Sequence, residues 1–159
     1  MRSYIPVVVA LTWLGACRGQ PPQPDQQALR ATRDSIQADS VAMVDSLFSP
    51  QAFDTIKWKS RTDLMDRGGT VYRVSCSQCH GEGGGGKADF VFRGDTLTTE
   101  SFLVKDWPLA KDSMLLRERI FTGNVAGMPH WGVIGLHYRD IDAAAHYITD
   151  FLRVNYGEK

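Results

Sequence analysis

The sequence predicts an all-α domain of about a hundred residues behind a tether of different texture. Three observations carry the prediction. Apolar residues recur at helical spacing in several segments after Arg61, and no alternating apolar–polar run of strand length occurs. The first sixty residues, by contrast, hold a short apolar run, a proline-rich stretch and one thin helical stripe. Of 159 residues 43% are hydrophobic and 23% charged, which excludes wholesale disorder. Eighteen basic residues balance eighteen acidic ones, so the chain lacks the basic excess of a nucleic-acid binder. Three cysteines, at 17, 76 and 79, are too few for a disulfide scaffold.

At the start, Arg2 precedes an apolar run of ten residues, Ile5 to Leu14. A membrane-spanning helix needs about twenty, so this run fits the core of an export signal instead. Its end, Leu14-Gly15-Ala16-Cys17, resembles the lipobox of bacterial lipoprotein signal peptides. That resemblance implies a signal over residues 1–16, removed on export, and an acylated Cys17 as the first mature residue. The protein would then be held to a membrane on its periplasmic side, since several acyl chains anchor where a single one does not.

Residues 17–60 are expected to form a lipid-anchored linker. Arg18 to Asp25 holds three prolines and no hydrophobic residue, a composition locally stiffened toward polyproline geometry. A helix is expected over residues 26–48, where Ile36, Val41, Val44, Leu47 and Phe48 make one narrow stripe that Ser49-Pro50 ends. Phe53, Ile56 and Trp58 are expected to pack on the following domain. Were all of residues 18–60 flexible, their ends would average roughly 35 Å apart.

Residues 61–159 form the domain proper. Thr62 or Asp63 is the expected cap of a helix bearing Leu64, Gly68, Val71 and Tyr72. Asp112 or Ser113 would cap a second, with Leu115, Leu116, Arg119 and Ile120, stopped at Gly123. Asp140 would cap a third, with Ile141, Ala144, Ala145, Ile148, Phe151 and Leu152. So short a domain, with long glycine-rich connections, needs something extra to fill its core.

Cys76-Ser77-Gln78-Cys79-His80 indicates what the filler is. This is the c-type haem attachment pattern, in which two thiols add to the vinyl groups of one porphyrin edge and the next histidine ligates the iron. A structural zinc site would need four ligands, and the sequence has no second cysteine pair. A thioredoxin-like redox pair would expect a βαβ surround and no obligatory histidine.

With Gly68 and Tyr72 ahead of the motif, Gly81 after it, Gly127-Met128-Pro129 downstream and a final helix with Tyr147, residues 61 to about 153 resemble a class I cytochrome c. The resemblance implies the small helical fold around one covalent haem c, with Gly68 and Tyr72 at the crossing of first and last helices, facing Ala144 and Tyr147. It implies Cys76 and Cys79 as attachment points, His80 as one axial iron ligand and Met128 as the other. Methionine suits that place because a thioether favours Fe(II) and raises the potential. His130, two residues on, is the rival ligand. His137 and His146 are weaker, with His146 expected to be exposed, and Met114 is expected in the core. The chain departs from the family in lacking a proline between Gly81 and Trp107, where a proline carbonyl usually orients the proximal histidine. Trp107 and Arg93 are the expected donors to the haem propionates.

The function implied is single-electron transfer by an exported, membrane-anchored monohaem cytochrome, without enzymatic activity. Its partners would be redox proteins: a respiratory dehydrogenase, oxidase or reductase. Two alternatives stand beside it, a fixed haem subunit of a larger respiratory complex and a small peroxidase or gas-binding haem protein with a vacant iron position.

Overall fold

Ser60, extended at φ −156° and ψ 166°, caps the first domain helix two to three residues ahead of the expected Thr62 or Asp63. Its hydroxyl accepts from the Asp63 N–H at 3.0 Å, satisfying a donor that the helix start leaves free. This geometry comes from a computed structural model that describes residues 25–87, 90–92 and 95–157. Cys17, the segment before Asp25 and Arg93 lie outside the described residues.

In chain order the helices are α1 (Gln26–Asp45), α2 (Arg61–Val71), α3 (Ser77–His80), α4 (Ser113–Thr122), α5 (Trp131–Ile134), α6 (Tyr138–Tyr147) and α7 (Arg153–Tyr156). A π turn, Tyr72–Cys76, joins α2 to α3 without a break, and a second, Ile148–Leu152, joins α6 to α7. Each π turn takes up an extra residue and shifts the faces of the helix beyond it.

Helices α2 and α6 cross at Gly68. A Cβ there would lie 2.3 Å from the Ala143 carbonyl oxygen and 2.7 Å from Tyr147 Cβ, so only glycine lets the backbones approach this closely. The partners are Ala143 and Tyr147; Ala144, expected opposite Gly68, is itself fully buried. Asp140 does not cap α6. The helix begins at Tyr138 with His137 as its N-cap, and the Asp140 carboxylate instead takes the Arg67 guanidinium of α2 at 2.7 Å. Asp112 caps α4 as expected, accepting from the Met114 and Leu115 N–H groups, and the helix stops at Gly123 at φ +69°. Leu116, Ile120 and Phe121 are buried on α4, whereas Leu115 is exposed. Met114 packs against the core cluster.

One short hairpin departs from the all-helical expectation: β1 (Phe90–Phe92) pairs antiparallel with β2 (Asp95–Leu97), Val91 opposite Thr96. Three residues per strand is too few for an alternation to register in a sequence.

The N-terminal segment is docked rather than free. Val44 is buried, and Phe48 meets the Phe121 ring edge-on at 5.5 Å. Phe53, in a 3₁₀ turn over Pro50–Phe53, meets Tyr138 at 5.1 Å. The Ser49 N–H donates to the Tyr138 hydroxyl at 2.9 Å. Ile56 packs against the core, and Trp58 Nε1 donates to the Asp142 carboxylate at 2.7 Å. Phe53, Ile56 and Trp58 thus join the domain as expected, and the stretch from Val44 to Trp58 is no flexible spacer. Ile36 and Leu47 stay exposed, so the narrow stripe buries little beyond Val44 and parts of Val41 and Phe48. Among the described residues, no helix is long and apolar enough to cross a membrane.

Candidate functional site

The turn from Cys76 to His80 is set by the helix that carries it. Cys76 closes the π turn and is buried; Cys79 and His80, in α3, are half-buried. Three residues apart, the two thiols share one side of the turn, and they are not joined to each other. Burial, with the Cys79 charge adding to it, pushes the Cys76 thiol up to about 12. Burial also raises Cys79, against the opposing effect of Lys87.

Gly81, at φ +75°, turns the chain out of α3, and its carbonyl accepts from the buried Tyr72 hydroxyl at 2.6 Å. The loop then folds back, so that the Gly86 N–H reaches the His80 carbonyl at 3.0 Å. A second segment, Thr99 to Phe102, is latched across this loop. Thr99 Oγ1 donates to the Cys79 carbonyl, its backbone N–H donates to Lys87 O, and Phe102 N–H donates to Gly84 O. Gly86 leaves no room for a side chain there, since a Cβ would sit 2.3 Å from Thr99 O.

His80 lies between these two layers. Its ring packs on Phe102 at 4.5 Å and 30°, and Phe102 in turn packs on the buried Trp107 at 5.0 Å. Arg153 holds the far side of this stack, donating to the carbonyls of Phe102 and Val104. The His80 Nδ1 is buried and meets no partner in full hydrogen-bond geometry. Burial lowers the affinity of the ring for a proton, and a hydrogen-bonding approach of the Glu100 backbone opposes that. No proline carbonyl serves here; the Glu100 backbone is the group that approaches the ring.

Met128 sits in a loop closed by Asn124. The Asn124 N–H donates to Met128 O at 3.2 Å, and Asn124 Oδ1 accepts from the Met128 N–H at 3.1 Å. The Met128 side chain packs against the cluster that contains Cys76, Phe102, Trp107, Leu116 and Ile120. His130 turns its Nδ1 to the Thr122 carbonyl. His137 is exposed. His146 is not exposed as expected: Arg117, at 3.3 Å, and Asp150, at 3.2 Å, occupy its two ring nitrogens and half-bury it.

The structure thus brings Cys76 and Met128 to one core cluster and rests His80 on a member of it. Thr99, Glu100, Phe102 and Asn124 also shape the site, and no motif marks them. Only the glycines at 86 and 123 hint at close backbone approaches nearby.

The family model for cytochrome c oxidase, cbb3-type, subunit III matches residues 63–148, more than half of the chain. The chain belongs to this family. No curated protein and no solved structure gives a significant match. As a family member it is a c-type cytochrome, with covalently bound haem c and a part in haem-based electron transfer. The residues present fit that group. Two unpaired thiols share one helical turn, and the imidazole beside them is unprotonated by preference, with a ring nitrogen buried outside any full hydrogen bond. The core cluster to which Cys76 belongs is built of aromatic and aliphatic side chains, the apolar surroundings a porphyrin needs.

Proposed function

We propose that this cytochrome is an exported, lipid-anchored one-electron carrier in which Cys76 and Cys79 attach the haem and His80 and Met128 ligate its iron. The observation that carries the reading is the convergence of the Cys76–His80 turn and the Met128 loop on one core cluster. Haem supplies the Fe(III)/Fe(II) couple. Cys76 and Cys79 tie it to a rigid helical turn, His80 presents its imidazole from a ring fixed by Phe102, and Met128 presents its thioether from a closed loop. Phe102 and Trp107 bury an apolar stack beside His80, so less solvent would reorient when the charge on the group changes. Two protein ligands leave no position for substrate, which supports a carrier over a peroxidase.

Replacing Cys76 and Cys79 together by serine is expected to abolish covalent attachment. Acid–acetone extraction should leave colour on the wild-type protein and none on the variant; colour retained by the variant would refute the assignment. Anchoring through Cys17 rests on the lipobox resemblance, and mass spectrometry of the mature terminus tests it. An unmodified Cys17 would remove the lipid from the reading.

The family name gives a second reading, a fixed subunit of an oxidase. Copurification with a haem-containing oxidase after gentle detergent extraction would favour it over a mobile carrier.

A further inference from the structure

The N-terminal helix reaches the Met128 loop. Gln37 Nε2, on α1, donates to the Asn124 carbonyl at 3.3 Å across 87 residues of sequence. The same carbonyl accepts from the Gly127 N–H at 3.3 Å, and Asn124 holds Met128 by both its N–H and its Oδ1. Gly123 completes the closure: at φ +69°, a Cβ would lie 2.3 Å from Met128 O and 2.7 Å from Pro129 O. One residue, Asn124, therefore fixes the main chain of Met128, and Gln37 fixes Asn124 from outside the loop. Nor does Gln37 ride on a loose helix. Further along the same segment Val44 is buried, Phe48 packs on Phe121 and Ser49 bonds Tyr138, anchoring α1 beside α4, the helix that leads into the loop.

We propose that α1 is a clamp on the sulfur-ligand loop, with Gln37, acting through Asn124, as a positioning residue that holds Met128 in place. This rests on the reading of Met128 as an iron ligand. Its content is that the ease with which the methionine comes off is governed by a segment outside residues 63–148, the part shared with the family. Donation from Gln37 favours the closed loop, and removing it raises the open fraction without touching any group at the iron.

The test uses the full-length haem-loaded protein and follows cyanide binding to its oxidised form, which requires the methionine to leave. Gln37→Leu is expected to bind cyanide roughly fivefold faster, the effect of losing one neutral hydrogen bond. Its haem content and the position of its methionine–iron charge-transfer band should be unchanged. Gln37→Lys, which retains a donor, should bind near the wild-type rate, and Ile36→Gln, an exposed neighbour, should have no effect. Asn124→Ala should bind faster still, and adding Gln37→Leu to it should bring no further increase, because both act on one loop. A wild-type rate in Gln37→Leu, or full additivity with Asn124→Ala, would overturn the clamp. Failure of the underlying ligand reading shows separately, as a wild-type spectrum without the charge-transfer band or a Met128→Ala variant that keeps it.

Discussion

Met128 and His130 stand two residues apart, and their surroundings separate them. The Met128 side chain faces the core cluster that includes Cys76, whereas His130 spends Nδ1 on the Thr122 carbonyl. Met128→Ala is therefore expected to keep the covalent haem, lose the methionine–iron charge-transfer absorption, lower the potential and admit carbon monoxide to the reduced protein. The potential falls because the lost thioether favoured Fe(II). His130→Ala should leave the spectrum and the potential in place. Spectra and redox titrations of the two variants check this, and low-spin character lost in His130→Ala but kept in Met128→Ala would reverse the assignment. Residue-scale chemistry was also what the sequence made most legible. Cys76, Cys79 and His80 lie within five positions, and their pattern reports its own purpose. Glu100 approaches the His80 ring with its backbone and Asn124 holds Met128 by its N–H and Oδ1, and no residue type advertises either role.

Among the elements, the α2–α6 crossing fixes where the proposed attachment turn, Cys76 to His80, lies, because α3 continues α2. Gly68→Ala would push a methyl into the Ala143 carbonyl, so α2 must shift and the turn with it. Overpacking of this kind costs about 1–3 kcal/mol. Gly83→Ala meets nothing within 4 Å and is the matched control, expected to change stability by under about 0.5 kcal/mol. Denaturant titration of both variants measures the contrast; equal midpoints would show that the crossing tolerates a side chain. The helices themselves were readable from periodicity, and Gly123 from its place after the last apolar residue of α4. Two caps were not. Ser60 starts α2 because its own backbone is extended, and Asp140 is drawn from capping by Arg67, 73 residues earlier in the chain. Such choices depend on neighbours that come together only in the fold.

At the scale of the molecule, long-range polar contacts tie Trp58 and Arg61, ahead of and at the start of α2, to α6 and the π turn that follows it. Arg117 and Trp58 converge on the buried Asp142, and Arg61 and His146 converge on Asp150. Burial pushes the Asp150 carboxyl up, but hydrogen bonds from Thr149 and His146 and the charges of His146 and Arg61 outweigh it, leaving it below the usual range. A carboxyl depressed in the folded state stabilises fully above its unfolded value, and that contribution is lost as pH falls through the folded one. Asp150→Asn is thus predicted to lower stability near neutrality by under about 1 kcal/mol, because the site is partly open to solvent. Wild type and variant should converge in acid, once the pH has fallen below the depressed folded-state value. Unfolding midpoints compared across that range decide it, and a constant gap would assign the loss to something other than ionisation. The docking of Val44 to Trp58 was only half visible beforehand. Phe53, Ile56 and Trp58 announced themselves as apolar residues in a polar stretch, but Gln37 gave no sign of its partner 87 positions away.

The burial of Cys76 also bears on the order in which the protein is made. A thiol must lose its proton to become a good nucleophile, and this one is both hidden and held near 12. Once α2 has closed on α6 and the Tyr72 hydroxyl has engaged Gly81, the Cys76 sulfur is buried and its thiolate disfavoured. On the proposed attachment, the Cys76 thioether is therefore expected to form while the exported chain is still unfolded, with folding to follow around a pigment already in place. Maturation then runs in one direction: a chain that folds early shuts its own loading door.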